Sequence, residues 1–124
     1  MFIGIDLGTS SVKVILIDES QTIIGQATCT LELINPKSGF YEQNPDSWLN
    51  ATLQCFSDLK KNFPKEFVST QAIGISGQMH GATLIDKNNS VLRPCILWND
   101  TRSAGQCIKM EKKYPLLRKE SGNI

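Results

Sequence analysis

Three apolar, β-branched runs stand back to back at the start of the chain, and they constrain its fold more than any other feature. "FIGID" leads into the turn "LGTSS", "VKVILID" into the turn "ESQT", and "IIGQATCTLEL" completes the set. Apolar runs bounded by turn residues predict strands. The connections are far too short for a crossover helix, which takes about a dozen residues or more, so the three strands are expected to be antiparallel neighbours. A loop rich in turn residues, "INPKSGFYEQ", follows.

The period then changes. Trp48, Thr52, Cys55, Phe56, Leu59 and Phe63 recur at helical spacing. Asn44 suits the N-cap, Pro45 the first helical position and Asp46 the first turn. Lys60 and Lys61 complement the negative end of the helix dipole, and Pro64 stops the helix. "QAIGIS" predicts a fourth strand, and "ATLID" and "VLRPCILW", joined by the turn "KNNS", predict a short two-stranded insertion. A last helix, capped by Asp100 or Thr101, carries Ala104, Cys107, Ile108 and Met110 partly on one face until Pro115 interrupts it. The order is β-β-β-α-β, two short strands and a helix, which is an α/β arrangement.

At 124 residues the chain suits one domain or a piece of one. Its net charge of +1 gives no electrostatic reason for nucleic acid or an anionic membrane as partner. No apolar run approaches the ~20 residues of a membrane span. The start, "MFIGIDLG", has no basic stretch and no cleavage site, so no secretory signal is expected. Cys29, Cys55, Cys95 and Cys107 lie far apart, no C-x-x-C occurs, and there is a single histidine. They read as reduced, mostly buried thiols of a cytoplasmic protein, with no zinc site. The end, "LRKESGNI", reads as the approach to a further element, so the chain is expected to be cut short.

Four stretches carry chemistry. In "DLGTSSVK", Asp6 ends a strand, Gly8 permits a tight turn, and the backbone N–H groups of Thr9, Ser10 and Ser11 suit an anion-binding concavity, with Lys13 adding positive charge. Asp6 suits a hydrated Mg²⁺, an ion that takes one or two carboxylates plus waters and phosphates. The plainer alternative is a hairpin in which Asp6 and Gly8 only make the turn. A Walker A loop is excluded by spacing. In "SGQMHG", Gln78 and His80 offer hydrogen bonds to hydroxyls and Met79 an apolar contact, at a strand end of the kind where ligands gather; the glycines leave room for a small polyol or sugar. The alternative is a structural histidine in a bend. In "LWNDTR", Trp98 suits the carbon face of a sugar, and Asn99, Asp100 and Arg102 cluster polar groups at a helix start; the alternative is a buried Trp with Asp100 as N-cap. "GFYEQNPDSW" is mostly helix initiation. Trp48 reads as core, and Glu42 has no evident structural job.

Together, and in this order, the four stretches resemble the N-terminal part of the FGGY family of carbohydrate kinases. "GIDLGTSSVKVILID" is similar to that family's opening phosphate hairpin and "EQNPDSWLNA" to its acidic-Pro-Trp helix start. "GISGQMHGATLID" is similar to the sugar-site segment of the members that act on xylulose, and "VLRPCILWNDTR" to the segment after it. "DLGT" alone is shared with the wider actin-like ATPases.

The resemblance implies a ribonuclease H-like, actin-like ATPase fold: a mixed sheet of three antiparallel strands extended by parallel ones, with flanking helices. It implies ATP-dependent, Mg²⁺-assisted phosphorylation of D-xylulose to D-xylulose 5-phosphate, and it leaves a homodimer of the complete protein open. By position, Asp6 organises Mg²⁺ and its waters, and Gly8, Thr9, Ser10, Ser11 and Lys13 surround the ATP phosphates. Gln78, Met79, His80 and Trp98 face the sugar, with Asn99, Asp100 and Arg102 as further pocket candidates. Glycerol-type relatives have Arg-Glu where this chain has Met79-His80, which favours xylulose. Residues 1–124 would then be an incomplete, sugar-binding first domain, with the second, ATP-side domain and the catalytic Asp base beyond Ile124. No catalytic residue is expected in the chain itself, which alone should be inactive and should expose apolar surface where the remainder packs. Other readings are a kinase for another ketose or polyol, a non-catalytic sugar- or nucleotide-binding module, and an actin-like ATPase of the chaperone or filament kind.

Overall fold

The first three apolar runs form the antiparallel ribbon that their short turns require. In the computed structural model, which describes residues 1–122, they are β1 (Phe2–Leu7), β2 (Ser11–Ile17) and β3 (Ile23–Thr30). Then come β4 (Glu42–Gln43), α1 (Pro45–Asn62), α2 (Pro64–Val68), β5 (Ala72–Gly77), β6 (Cys95–Ile96), α3 (Ala104–Lys113) and α4 (Leu117–Ser121). The main sheet has the order β3-β2-β1-β5, with β5 parallel to β1 and the other pairs antiparallel. β4 and β6 form a separate antiparallel pair.

Alternation along the strands sends Ile3, Ile5, Val12, Val14 and Leu16 to one face, where they pack with Leu31 and with Cys55 and Leu59 of α1. α1 starts as its sequence demands. Asn44 is extended (φ −78°, ψ 118°), its side-chain oxygen accepts from the Asp46 N–H, and Pro45 takes the first turn. At the far end Phe63 lies against Gly25, where a Cβ would come within 2.5 Å of the ring. Glycine alone lets the helix end sit that close to β3.

The structure departs from the sequence reading in several places. Pro64 ends α1 as expected, yet it also opens α2 at its first helical position. The insertion is thinner than two strands. "ATLID" makes only isolated bridges, Ala82 to Ile96 and Ile85 to Val91, and of "VLRPCILW" only Cys95–Ile96 is a strand. Pro94 has no N–H to give a ladder, and β6 pairs with β4, far away in sequence. Neither Asp100 nor Thr101 caps α3. Asp100 is engaged by Arg102 and the Tyr41 N–H, Thr101 donates to the Gly39 carbonyl, and the N-cap position falls on Ser103 without a side-chain bond.

Ala104, Cys107, Ile108 and Met110 are all exposed, because nothing in the described residues covers α3. Cys107 therefore departs from the expectation of buried thiols, whereas Cys55 and Cys95 meet it and Cys29 is half-buried. Burial, then the neighbouring Cys29 thiol, pushes the Cys55 thiol up to about 12. Every residue of β5 is exposed, Ile73 and Ile75 included. Among the described residues nothing covers this apolar strand. Among the described residues no helix is long and apolar enough to cross a membrane.

Candidate functional site

Parallel pairing of β1 with β5 decides where the chemistry gathers. The two strands end side by side at Leu7 and Gly77, so the turn after β1 and the segment after β5 leave the sheet at one place. The Gln78 N–H donates to the Leu7 carbonyl (2.9 Å) and holds the second exit against the first. One residue back, Asp6 stands between Lys13 of β2 and Ser76 of β5, each its direct partner in register. Asp6 is exposed, and its Oδ1 accepts from the Ser76 hydroxyl at 3.3 Å. Among the described residues no group of three or more His, Cys, Asp or Glu side chains converges to cage a metal. A lone carboxylate facing solvent is a donor set that fits Mg²⁺ held partly by water and phosphate.

The turn itself is closed by one backbone bond, from the Gly8 N–H to the Ser11 carbonyl (3.0 Å). The Thr9 and Ser10 N–H groups meet no acceptor among the described residues. Lys13 and Ser10 are exposed, while Thr9 and Ser11 are half-buried.

A chain of side-chain hydrogen bonds joins this turn to the three other stretches. The Thr9 hydroxyl donates to Gln78 Oε1 (3.1 Å) and accepts from Trp98 Nε1 (3.2 Å). Gln78 Nε2 donates to Gln43 Oε1 (3.1 Å), which also accepts from Trp48 Nε1 (3.0 Å). Gln43 Nε2 donates back to the Thr9 carbonyl (2.7 Å). One polar network thus runs through "DLGT", "EQNPDSW", "GQMHG" and "LWNDTR".

Around it, Met79, His80 and Trp98 are exposed, and a cavity of ≈ 150 Å³ lies among Leu7, Trp48, Gln78, His80 and Leu97. The exposure of Trp98, 60%, overturns the buried-Trp alternative. His80 has a left-handed backbone (φ 63°), and its imidazole makes no hydrogen bond to a described residue. It is no satisfied structural histidine.

Residues 1–124 match the FGGY family of carbohydrate kinases, N-terminal domain. The chain belongs to the FGGY family. It is 44% identical to a xylulose kinase of Escherichia coli strain K12 over 124 residues, all of this chain and 25% of that protein. The crystal structure of a xyloylose kinase from Brucella ovis superposes with a TM-score of 0.93 at 48% identity, covering 98% of this chain and 26% of that one. The structure of Plasmodium falciparum glycerol kinase with ADP superposes with a TM-score of 0.82 at 26% identity, over 92% of this chain and 24% of that one. The chain spans about a quarter of the length of these relatives. Its mixed sheet is the actin-like sheet of the FGGY N-terminal domain.

Two features of this FGGY domain correct the sequence reading. The glycines around Met79 and His80 do more than leave room for a ligand. A Cβ on Gly77 would lie 3.2 Å from Leu7 Cβ, and one on Gly81 would lie 3.0 Å from Cys95 Sγ, so both glycines first serve the close approach of the protein to itself. Glu42, whose sequence context suggests no structural job, is buried at the centre of a charge cluster. Its Oε1 meets Arg93 (2.5 Å) and Arg102 (2.7 Å). Asp100 in turn accepts from the Arg102 backbone N–H, Nε and Nη2 and from the Tyr41 N–H, and the Arg102 guanidinium stacks 4.0 Å over Phe40.

Asp100 and Arg102 are therefore occupied in tying residues 97–102 to the loop before α1. Asn99 Oδ1 is buried with no hydrogen-bond partner among the described residues. Glu42 and Gln43 were beyond sequence reasoning, because a two-residue strand has no period.

The Arg102 hydrogen bonds hold the Asp100 carboxyl well below the usual carboxylate range, and Asp100 raises Arg102 in return. A carboxyl depressed by folding stabilises fully above its unfolded value of about 3.9 and loses that contribution as pH falls toward the folded value. The urea midpoint of the protein should therefore fall more steeply below about pH 4 than that of Asp100→Asn, which has no carboxyl to titrate there. Identical slopes for the two would remove Asp100 from the acid response.

Proposed function

We propose that the protein of which this chain is the N-terminal part transfers the terminal phosphoryl group of ATP to D-xylulose, giving D-xylulose 5-phosphate and ADP. The observation that carries the reading is the network from Thr9 through Gln78 to Trp98. It ties a turn with two unengaged N–H groups to Gln78 and to the exposed Trp98, and Asp6, Lys13, Met79 and His80 adjoin these residues in the chain. The similarity to kinases of xylulose supports the choice of sugar. So does Met79-His80, a pair able to give one apolar contact and one hydrogen bond.

In this reading the N–H groups of Thr9 and Ser10, with Gly8 shaping the turn, meet phosphate oxygens, and Ser11 and Lys13 flank them. Asp6 would hold a hydrated Mg²⁺, which when bound would supply charge neutralisation at the phosphates. Trp98 lies against the carbon face of the sugar, Met79 adds an apolar contact, and His80 orients its hydroxyls. The base that takes the hydroxyl proton lies outside the chain, so the 124 residues alone should not turn over.

The test is ADP release by the full-length protein with xylulose, ribulose, gluconate and glycerol in parallel. Xylulose should give the highest kcat/KM. Another acceptor ahead of it by tenfold or more would reassign the sugar, and no release with any would overturn the kinase reading.

A further inference from the structure

We propose that Gln43 is a positioning residue. It fixes the polar groups of the turn after β1 and of the segment after β5 relative to each other, and so sets the alignment of phosphate donor and sugar. The proposal depends on the roles given above to those two segments.

Gln43 is fully buried, and its amide is saturated. Its two N–H bonds go to the Thr9 carbonyl (2.7 Å) and the Glu32 carbonyl (3.4 Å), and its oxygen accepts from Trp48 Nε1 and Gln78 Nε2. The orientation is dictated. A tryptophan N–H can only donate and a backbone carbonyl can only accept, so the amide cannot be reversed without setting donor against donor and acceptor against acceptor.

That fixed orientation propagates. Because Gln43 presents its oxygen, Gln78 must present its NH₂ to it. Gln78 Oε1 is then left to accept from the Thr9 hydroxyl. The hydroxyl hydrogen is thereby used, and the Thr9 oxygen receives the Trp98 indole N–H. One buried amide thus decides the direction of the Gln78 amide and of the Thr9 hydroxyl, whose oxygen is left to accept from the exposed Trp98, and it grips the turn directly at Thr9. A glutamine wanted only to fill space would need none of this ordering, and a methionine would fill the place at less cost in desolvation.

Gln43→Met, close in volume and without hydrogen bonds, tests the proposal in the full-length protein. The KM for ATP and the KM for sugar should both rise about tenfold or more. Amide exchange at Gly8 and Gln78, whose N–H groups close the two segments, should quicken by about tenfold or more while exchange at Val14 and Cys55 in the core stays as in wild type. If both KM values stay within twofold of wild type, or if core amides quicken in step with Gly8 and Gln78, Gln43 is merely structural and the proposal falls.

Should Gln43→Met fail to fold, Trp48→Phe removes one donor to the same oxygen and should move the same readouts in the same direction by less. No change there overturns the proposal as well. The exchange pattern does not depend on which sugar is the substrate. A wild-type protein inactive on xylulose would refute the functional reading while leaving this one to be decided by exchange alone.

Discussion

Asp6→Asn in the full-length protein should lower kcat for sugar phosphorylation by about a hundredfold or more, with stability changed by no more than about 0.5 kcal/mol. The two halves of that expectation have separate grounds. Asp6 is exposed at the end of β1, and its one side-chain hydrogen bond among the described residues is a long one, from Ser76 at 3.3 Å. An asparagine of the same shape keeps that bond and the strand register, so folding has little to lose. Catalysis has much to lose, since phosphoryl transfer is mostly positioning and charge stabilisation and the substitution deletes the negative charge that would hold the metal. Steady-state kinetics with urea unfolding of the same preparation reads both. A variant that retains more than about a tenth of wild-type kcat would remove Asp6 from the metal site, and one that loses several kcal/mol would recast it as structural.

Leu59→Ala should destabilise the protein by about 2–5 kcal/mol, a large share of the roughly 5–15 kcal/mol that holds a domain together. Leu59 is 1% exposed and carries the last turns of α1 onto β2 and β3, with Val14, Leu16 and Cys55 in the same cluster. Truncation removes its apolar contacts and leaves a hole that a helix pinned by Asn44 at one end and by Phe63 against Gly25 at the other cannot collapse to fill. Denaturant titration checks the figure. A loss under about 1 kcal/mol would mean that α1 is held mainly by its caps and edges.

What could be read from the sequence was whatever repeats with a local period or sits at a fixed offset. The three antiparallel strands follow from β-branched runs and short turns. The boundaries of α1 follow from Asn44, Pro45 and the stop at Phe63–Pro64, and the actin-like sheet with its four chemical stretches follows from motif resemblance. What could not be read depends on pairing at long range. The burial of Glu42 and Gln43 arises because β6 reaches them from across the sequence, and polar residues in a two-residue strand carry no hydrophobic signature. The placement of Asp100 failed for a related reason. A local rule offers an aspartate before a helix as an N-cap, but Arg102 and Tyr41 compete for the same oxygens and win on charge and geometry. The apolar residues of α3 recur at helical spacing, and helical spacing says nothing about whether a partner is present to cover them.

The network among Thr9, Gln43, Trp48, Gln78 and Trp98 also bears on how such a chain can drift over generations. Each member supplies the donor or acceptor that another member lacks, so a substitution at one place strands a group at another, at a cost of about 1–3 kcal/mol where that group is buried. Single steps away from the pattern are penalised even when the new residue fits its space, and tolerated changes must come as matched pairs. Five positions scattered over ninety residues are in this sense energetically coupled.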